Sequence, residues 1–199
     1  AVETLGLKRA VITSVTRDDL PDGGSGHFAE TVRQIRALNP DCRVEVLVPD
    51  FKGKRENVAT LLDAQPEFFG HNTETVPRLY REARPGSQYK RTLGVLAQAA
   101  EARSDAYPIV TKTGIMLGLG ETQDELMEVM KDLRSVDCDV LTLGQYLQPT
   151  RKHLPVARYI PPEEFADLQR LALKMGFKHC ESGPLVRSSY HAHTHVPTS

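Results

Sequence analysis

The chain has 199 residues, 40% of them hydrophobic and 26% charged, which is ordinary for a globular protein that buries one substantial core. Its net charge of −1 argues against a nucleic-acid or other polyanion binder, because such proteins usually carry a basic excess. No apolar run reaches the roughly 18 residues that cross a membrane, and no signal peptide is recognisable. The three cysteines are scattered, which indicates a reducing compartment rather than a disulfide framework.

Apolar, β-branched runs alternate with segments of helical periodicity along the chain. The predicted strands are residues 9–15, 43–48, 68–72, 109–117, 139–146 and 177–181. The predicted helices are residues 26–38, 55–64, 75–82, 89–103, 122–136 and 162–175. Pro40 ends the first helix, Gly176 ends the last, and Thr122 followed by Glu125 is a capping signal.

Strands that alternate with helices build βαβ units and a parallel sheet. No G-x-G-x-x-G follows the first strand, which disfavours a dinucleotide-binding fold. We therefore predict an α/β fold, a complete or partial (β/α) TIM-like barrel over residues 1–181, with a tail over residues 182–199. Because the chemistry of such barrels collects at the carboxyl ends of the strands, those ends select the candidate site residues.

The loop after the first strand, residues 13–24, holds three carboxylates and Arg17. This loop is either a site for a charged amino-acid moiety or ordinary turn and helix-cap chemistry, because Asp-Gly-Gly forms turns and aspartate caps helices. After the third strand come Asn72 and Glu74, which point the same way if the strand persists. An amide and a carboxylate there can hold ribose hydroxyls or an ammonium group, although a helix cap is the alternative.

Lys112 lies in the strongly apolar fourth strand, where an unpaired charge is costly. It either points into a polar barrel interior, which we favour, or is paired with an acid. Gly118 and Gly120 allow a ligand to approach the backbone closely, or they serve strand–helix packing. Tyr146, at the end of the fifth strand, either stacks on a base or is an ordinary core aromatic.

The run at residues 182–192 (SGPLVRSSYHA) is too polar and irregular for a core element. It places an arginine, Arg187, beside two hydroxyl side chains and a tyrosine, a combination that folding alone does not require at a chain end. The alternating His191, His193 and His195 form either a metal site or a disordered terminus.

Together these segments resemble the lipoyl synthases, members of the radical S-adenosylmethionine (SAM) superfamily. The matching runs follow in order along nearly the whole chain: residues 13–24 (TSVTRDDLPDGG), 48–51 (VPDF), 71–80 (HNTETVPRLY), 111–122 (TKTGIMLGLGET), 141–150 (LTLGQYLQPT), 153–156 (HLPV) and 182–192.

The resemblance implies a partial (β/α) barrel of the radical SAM type and two 4Fe–4S clusters. One cluster binds SAM and cleaves it to a 5′-deoxyadenosyl radical, which removes hydrogens from C6 and C8 of a protein-bound octanoyl chain. The second, auxiliary cluster donates the sulfurs. The implied substrate is an octanoylated lipoyl carrier protein, either the E2 domain of a 2-oxoacid dehydrogenase or the glycine-cleavage H protein.

The resemblance also implies roles for single residues. It makes Ser189 the serine ligand of the auxiliary cluster and Arg187 a residue that orders the tail beside that cluster. It places Lys112 near the substrate or the auxiliary cluster, facing the barrel interior. The residues that it places around SAM are Thr13 and Ser14 at the methionine end, Asn72 and Glu74 at the ribose, Arg91, Gly118, Glu121 and Tyr146.

The chain departs from the family pattern in its cysteines. The family carries two triads, C-x4-C-x5-C and C-x3-C-x2-C, and none of Cys42, Cys138 and Cys180 matches them. Both triads and the first barrel strand belong upstream of Ala1. Two alternatives therefore stand beside an active enzyme: a cluster-free remnant that only binds octanoylated carrier or SAM, and a barrel lyase that uses Lys112 as a Schiff-base nucleophile. The expected location is a bacterial cytoplasm, with the mitochondrion as the alternative.

Overall fold

The computed structural model describes residues 1–187. The strands are β1 Arg9–Thr13, β2 Arg43–Leu47, β3 Phe68–Gly70, β4 Val110–Leu117, β5 Val140–Gln145 and β6 His179–Gly183. The α-helices are α1 Ser25–Leu38, α2 Arg55–Leu62, α3 Tyr80–Ala83, α4 Tyr89–Glu101, α5 Gln123–Ser135 and α6 Pro162–Lys174, and two 3₁₀ turns cover Phe51–Gly53 and Pro77–Leu79. None of the helices in this part of the chain is both long enough and apolar enough to span a bilayer.

The six strands form one parallel sheet in sequence order from β1 to β6. A helical segment connects each strand to the next, as parallel pairing requires. Sequential parallel strands with intervening helices are the arrangement of a (β/α) barrel, and six strands make a partial one. The predicted α/β fold is therefore confirmed.

Most element ends differ from the prediction by one or two residues, and three differences bear on the candidate site. Strand β3 ends at Gly70 instead of residue 72, because the chain leaves regular strand geometry and Glu74 adopts a φ of 68°. The helix predicted at residues 75–82 is instead a 3₁₀ turn followed by the four-residue α3, because Val76 is still extended, with a φ of −76° and a ψ of 154°, and helical geometry begins only at Pro77. Strand β6 ends at Gly183 instead of residue 181, so regular structure reaches into the run assigned to the tail.

The helices cover one face of the sheet. Side chains alternate between the two faces, so every second residue of a strand meets the helices. Outward residues such as Val44, Val46, Ile115 and Leu143 pack with helix residues into two large apolar clusters. The apolar cluster on the inner face is small and consists of Phe68, Val110 and Val140. Much of the inner face is therefore left for polar and charged side chains.

A buried ionic cluster lies on this inner face and consists of Arg9, Glu45 and Lys112. Lys112 Nζ lies 2.9 Å from Glu45 Oε1, and Arg9 bonds the other carboxylate oxygen. The Arg9 guanidinium also stacks 3.6 Å from the centre of the Phe68 ring. Burial lowers the pKa of Lys112, whereas Glu45 raises it. Lys112 thus faces the interior, as favoured, and is paired there as well.

Glu45→Gln should destabilise the fold strongly, because it leaves Arg9 and Lys112 buried without their carboxylate. We expect the free energy of unfolding in urea to fall by about 3–5 kcal/mol. The matched control is Glu101→Gln, which breaks an ion pair to Arg55 whose side chains are 62% and 67% exposed, and which should cost less than about 1 kcal/mol. Equal losses in the two variants would contradict a stabilising role for the ionic cluster.

Candidate functional site

The segment from His71 to Val76 continues alongside β4 after β3 has ended. His71 N–H donates to Lys112 O at 3.0 Å, Glu74 N–H to Gly114 O at 2.8 Å, and Met116 N–H to Glu74 O at 2.8 Å. Thr73 points to the helix-covered face of the sheet, where its amide and hydroxyl both bond the Thr113 hydroxyl. With Thr73 held in this way, its neighbours Asn72 and Glu74 face a cleft at the carboxyl ends of the central strands.

A buried histidine supports this segment from behind. His71 Nδ1 lies 2.8 Å from Val48 O, so that nitrogen carries the proton, and Nε2 lies 3.2 Å from the Thr92 hydroxyl. Burial lowers the His71 pKa to about 4, so the ring is neutral at physiological pH. Tyr80 Oη donates to Thr73 O at 2.7 Å. These bonds fix the backbone that presents Asn72 and Glu74.

The cleft has a volume of about 200 Å³ and lies above the carboxyl ends of β3, β4 and β5. Its wall combines amide, carboxyl, hydroxyl and guanidinium groups with apolar side chains, a lining typical of small-molecule sites. The lining residues are Asn72, Glu74, Gly114, Ile115, Met116, Thr142, Gly144, Gln145, Leu147, Val186 and Arg187. The polar groups can bond hydroxyls, and the apolar wall beside them can contact a flat ring. The cleft therefore suits a nucleoside.

The charge of Glu74 depends on two opposing effects. Burial raises the pKa of its carboxyl group, whereas the Arg84 guanidinium and a hydrogen bond from the Asn72 side chain lower it. Arg187 brings a cation to the same cleft from the segment after β6. The cleft wall therefore combines a partly buried acid with a cation from a different element.

The structure brings together three of the sequence-predicted site residues, Asn72, Glu74 and Arg187. Arg91 instead lines a second cavity, of about 410 Å³, where its Nη1 lies 3.0 Å from Asp50 Oδ2. Thr13 and Ser14 line a third cavity, of about 150 Å³, at the end of the edge strand β1. The Thr13 and Ser14 hydroxyls donate to the backbone carbonyls of Leu47 and Val15. The residues predicted at the methionine end of SAM are thus not part of the cleft itself.

Three further predicted cofactor residues make their contacts with other residues of the protein and do not line the cleft: Gly118, Glu121 and Tyr146. A Cβ at Gly118 would lie 2.2 Å from Arg158 O, so the space beside this glycine is already filled by protein. The Glu121 carboxylate accepts from the amides of Gly118 and Leu119 at 2.6 and 2.9 Å. Tyr146 is buried in the apolar core and donates to Leu154 O at 2.9 Å. Their predicted contact with a cofactor stays a prediction.

The structure describes two of the three residues proposed for catalysis, Lys112 and Arg187. Lys112 shares its strand face with Gly114 and Met116 but sits deeper, where it is ion-paired to Glu45. A Schiff-base role would require this buried ammonium to lose its partner. Arg187 stands at the cleft, whereas Ser189 and the alternating histidines lie outside the described residues.

Sequence reasoning missed Thr142, Met116 and Leu147, which also line the cleft. A signal for two of them was available. Met116 follows Gly114 by two positions, and Thr142 precedes Gly144 by two, so strand alternation places each pair on one face. Leu147 carried no such signal, because it follows the end of β5 in a loop.

The segment after β6 crosses over β5 at Gly144. A Cβ on Gly144 would lie 2.3 Å from Val186 O, far closer than real Cβ atoms approach a carbonyl oxygen. Val186 N–H closes a turn onto Gly183 O at 3.1 Å. Because only glycine permits this crossing, Gly144 determines where Arg187 meets the cleft.

The described residues do not supply ligands for an iron–sulfur cluster. Within residues 1–187, no group of three or more His, Cys, Asp or Glu side chains is arranged to hold a metal ion. Cys42, Cys138 and Cys180 are free but buried, and burial raises their thiol pKa values, to about 12 for Cys138 and Cys180. Buried, protonated thiols are poor cluster ligands.

A model of the radical SAM superfamily matches residues 1–133, so the chain belongs to the radical SAM superfamily. Solved structures with the same fold include methylornithine synthase, with a TM-score of 0.59 and 15% identity over 86% of this chain and 48% of that chain. The radical SAM methyltransferase TsrM from Kitasatospora setae gives a TM-score of 0.53 and 18% identity over 84% of this chain and 33% of that chain.

Within the superfamily, the chain is similar to proteins named lipoyl synthase. It is 56% identical to that of Rubrobacter xylanophilus over 193 residues, which are 97% of this chain and 59% of the relative. It is 54% identical to that of Caldanaerobacter subterraneus subsp. tengcongensis over 192 residues, 96% of this chain and 66% of the relative. The chain thus spans only part of the length of these relatives.

The buried His71 should make stability depend on pH. Its pKa is about 4 in the folded chain and 6.5 when unfolded, so the unfolded chain binds the extra proton between these values. Stability should therefore fall by about 3 kcal/mol as the pH drops from 6.5 to 4. His71→Gln should remove this part of the slope in urea unfolding measured across that range. Identical slopes for the two proteins would contradict a neutral, buried His71.

Gly144→Ala should displace the segment that carries Arg187. The added methyl group meets a backbone oxygen, so we expect a loss of about 1–3 kcal/mol in unfolding free energy and faster tryptic cleavage after Arg187. Gly94→Ala is the control, because Gly94 lies in α4 with open space around its Cβ position, and alanine should stabilise that helix by up to about 1 kcal/mol. Unchanged cleavage in Gly144→Ala would contradict the crossing.

Proposed function

We propose that this chain is the barrel portion of a lipoyl synthase, a radical SAM sulfurtransferase that inserts two sulfurs at C6 and C8 of a protein-bound octanoyl chain. The observation that carries the proposal is the 54–56% identity to proteins of that name over 96–97% of the chain. Membership of the radical SAM superfamily supports the chemistry, and the cleft supports the presence of a nucleoside.

The cleft at the carboxyl ends of β3–β5 is the proposed site for the adenosine part of SAM. Glu74 and Asn72 have the acceptor and donor groups to hold ribose hydroxyls, and Met116 and Leu147 offer apolar contact to a base. When bound to a 4Fe–4S cluster, SAM supplies the radical that removes hydrogen from an unreactive carbon. The protein's own part in this cleft is to bind and orient the nucleoside.

Both 4Fe–4S clusters would take their cysteine ligands from outside the described residues, since the three cysteines present do not fit. Ser189 remains the proposed ligand to the auxiliary cluster. A serine oxygen is a harder ligand than a thiolate and binds cluster iron less readily, so it suits a cluster that must open to release sulfur. Arg187, which lines the nucleoside cleft, precedes that proposed ligand by two positions in the sequence.

The proposed partner is an octanoylated lipoyl carrier protein, either the E2 domain of a 2-oxoacid dehydrogenase or the glycine-cleavage H protein. The proposed location is the cytoplasm of a bacterium, with the mitochondrion as the alternative. Similarity to proteins named lipoyl synthase supports a lipoyl carrier as the substrate class.

The native protein that contains this chain tests the proposal directly. Supplied anaerobically with iron, sulfide, SAM, a reductant and an octanoylated carrier domain, it should raise the carrier's mass by the replacement of two hydrogens with two sulfurs. Glu74→Gln should weaken SAM binding about 10- to 100-fold, because a hydrogen bond to a charged group contributes about 1.5–3 kcal/mol. A carrier that stays octanoylated with the wild-type protein would overturn the proposal.

The matched control for Glu74→Gln is Glu128→Gln on the exposed surface of α5, which makes the same chemical change at a side chain that pairs with Lys131. This variant should bind SAM and convert the carrier as the wild type does. Equal losses in both variants would show that the effect of Glu74→Gln is unspecific.

A further inference from the structure

Arg84 occupies a constrained position between α3 and α4. It begins the turn Arg84-Pro85-Gly86, in which Ser87 N–H bonds Arg84 O at 3.1 Å and Gly86 adopts a φ of 86°. A following proline restricts the backbone of the residue before it. Arg84 is half-buried, unlike Arg81 one turn earlier on α3, which is exposed. The turn therefore directs one long cation back toward the sheet.

The guanidinium reaches the backbone of the nucleoside cleft. Arg84 Nη1 donates to Asn72 O at 2.5 Å, across twelve residues of chain. Because a peptide group is planar, fixing this carbonyl fixes the plane between Asn72 and Thr73. Thr73 is held on its other side by Thr113. The direction of the Asn72 side chain thus depends on Arg84.

The same guanidinium influences Glu74 electrostatically. It lowers the pKa of the Glu74 carboxyl group, which burial raises. Two further groups bear on this acid: the Tyr80 phenol on α3, whose pKa the Glu74 carboxylate raises, and Arg187, which lines the same cleft. Without Arg84, burial would raise the pKa of Glu74 further, which favours the protonated carboxyl group.

Arg84 does this from outside the nucleoside cleft. Its side chain lines the second cavity, together with Arg91 and Asp50, whereas Asn72 and Glu74 line the first. A ligand in the first cleft therefore meets the amide and the carboxylate. Any influence of Arg84 on that ligand passes through those two residues.

We propose that Arg84 is a positioning residue: it holds Asn72 and Glu74 in the arrangement that receives a ribose, without itself touching the nucleoside. This inference rests on the proposed function for the identity of the ligand. Arg84 would thus make the cleft prefer ligands that carry ribose hydroxyls, although its guanidinium lies outside the cleft.

The test compares two ligands on the native holoprotein by calorimetry: S-adenosylhomocysteine and its analogue without the ribose 2′-hydroxyl. Arg84→Ala should weaken S-adenosylhomocysteine at least 10-fold and the deoxy analogue less than threefold. Arg84→Lys should recover part of the loss, because it keeps the charge but not the fork geometry. Arg81→Ala, the same change at the exposed neighbour, should bind both ligands as the wild type does.

The pH profile separates positioning from mere structural support. Ionised Glu74 is the acceptor for hydroxyls, so affinity should fall on acidification, and in Arg84→Ala this fall should begin at a higher pH. Equal weakening of both ligands with an unchanged pH profile would overturn the proposal. Absence of S-adenosylhomocysteine binding by the wild type would overturn it as well. If Arg84→Ala does not fold by circular dichroism, Arg84→Lys decides by the same comparison of ligands.

This test and the test of function can fail separately. A wild-type protein that binds S-adenosylhomocysteine with Arg84-dependent preference for the 2′-hydroxyl, but leaves the carrier octanoylated, would sustain the positioning role and reject lipoyl synthesis. A protein that inserts sulfur but shows no Arg84-dependent preference for the 2′-hydroxyl would sustain lipoyl synthesis and reject the positioning role.

Discussion

The candidate site depends on the backbone pairing of residues 71–76 with β4. Strand β3 is only three residues long, yet hydrogen bonds from His71, Glu74 and Met116 extend its ladder beyond Gly70. This extension tolerates a left-handed residue at Glu74 because the flanking bonds are all formed. Without it, the amide and the carboxylate of the cleft would lie in a free loop.

The side chains on the inner face of the sheet form two layers with different roles, one deep in the sheet and one at the carboxyl ends of its strands. The deeper layer holds Glu45 between Arg9 and Lys112, charges that satisfy one another and leave little to offer a ligand. The upper layer contains Gly114, Thr142 and Gly144, small residues that leave the cleft open above them. Alternation along β4 produces both layers from one strand, because Lys112, Gly114 and Met116 share a face.

Gly118 and Gly144 could each suggest a site where a ligand approaches the backbone. At both positions the structure instead shows another part of the backbone packed against the glycine. Gly118 admits the carbonyl of Arg158, and Gly144 admits that of Val186. The first approach fixes the loop after β4, and the second brings the segment after β6 to the cleft. Only Gly144 therefore connects to the site, and it does so by placing Arg187.

Much of the fold was predictable because hydrophobic periodicity reports strands and helices locally. All six strands were predicted from that pattern, and their alternation with helices predicted a parallel sheet, whereas the strand order comes from the structure. The site was only partly predictable. Asn72 and Glu74 were expected to share a direction if the strand persisted; the strand ends first, and tertiary bonds to β4 bring both to the cleft instead.

The remaining site residues depend on contacts that are distant in sequence. Thr13 and Ser14 end on the edge strand, away from the cleft, since β2 separates them from β3. Tyr146 turns into the core because Leu154 offers its hydroxyl a carbonyl. Arg84 carried no sequence signal, because its partner becomes a neighbour only when the loop between α3 and α4 folds back.

The central claim is that the cleft at the carboxyl ends of β3–β5 holds the nucleoside. A crystal structure of the native protein with bound S-adenosylhomocysteine tests it most directly. We predict ribose oxygens within hydrogen-bond distance of Asn72 and Glu74, and the adenine ring beside Met116 and Leu147. A nucleoside found in the cavity near Thr13 and Ser14, or in the one beside Arg91, with the cleft left empty, would contradict the account.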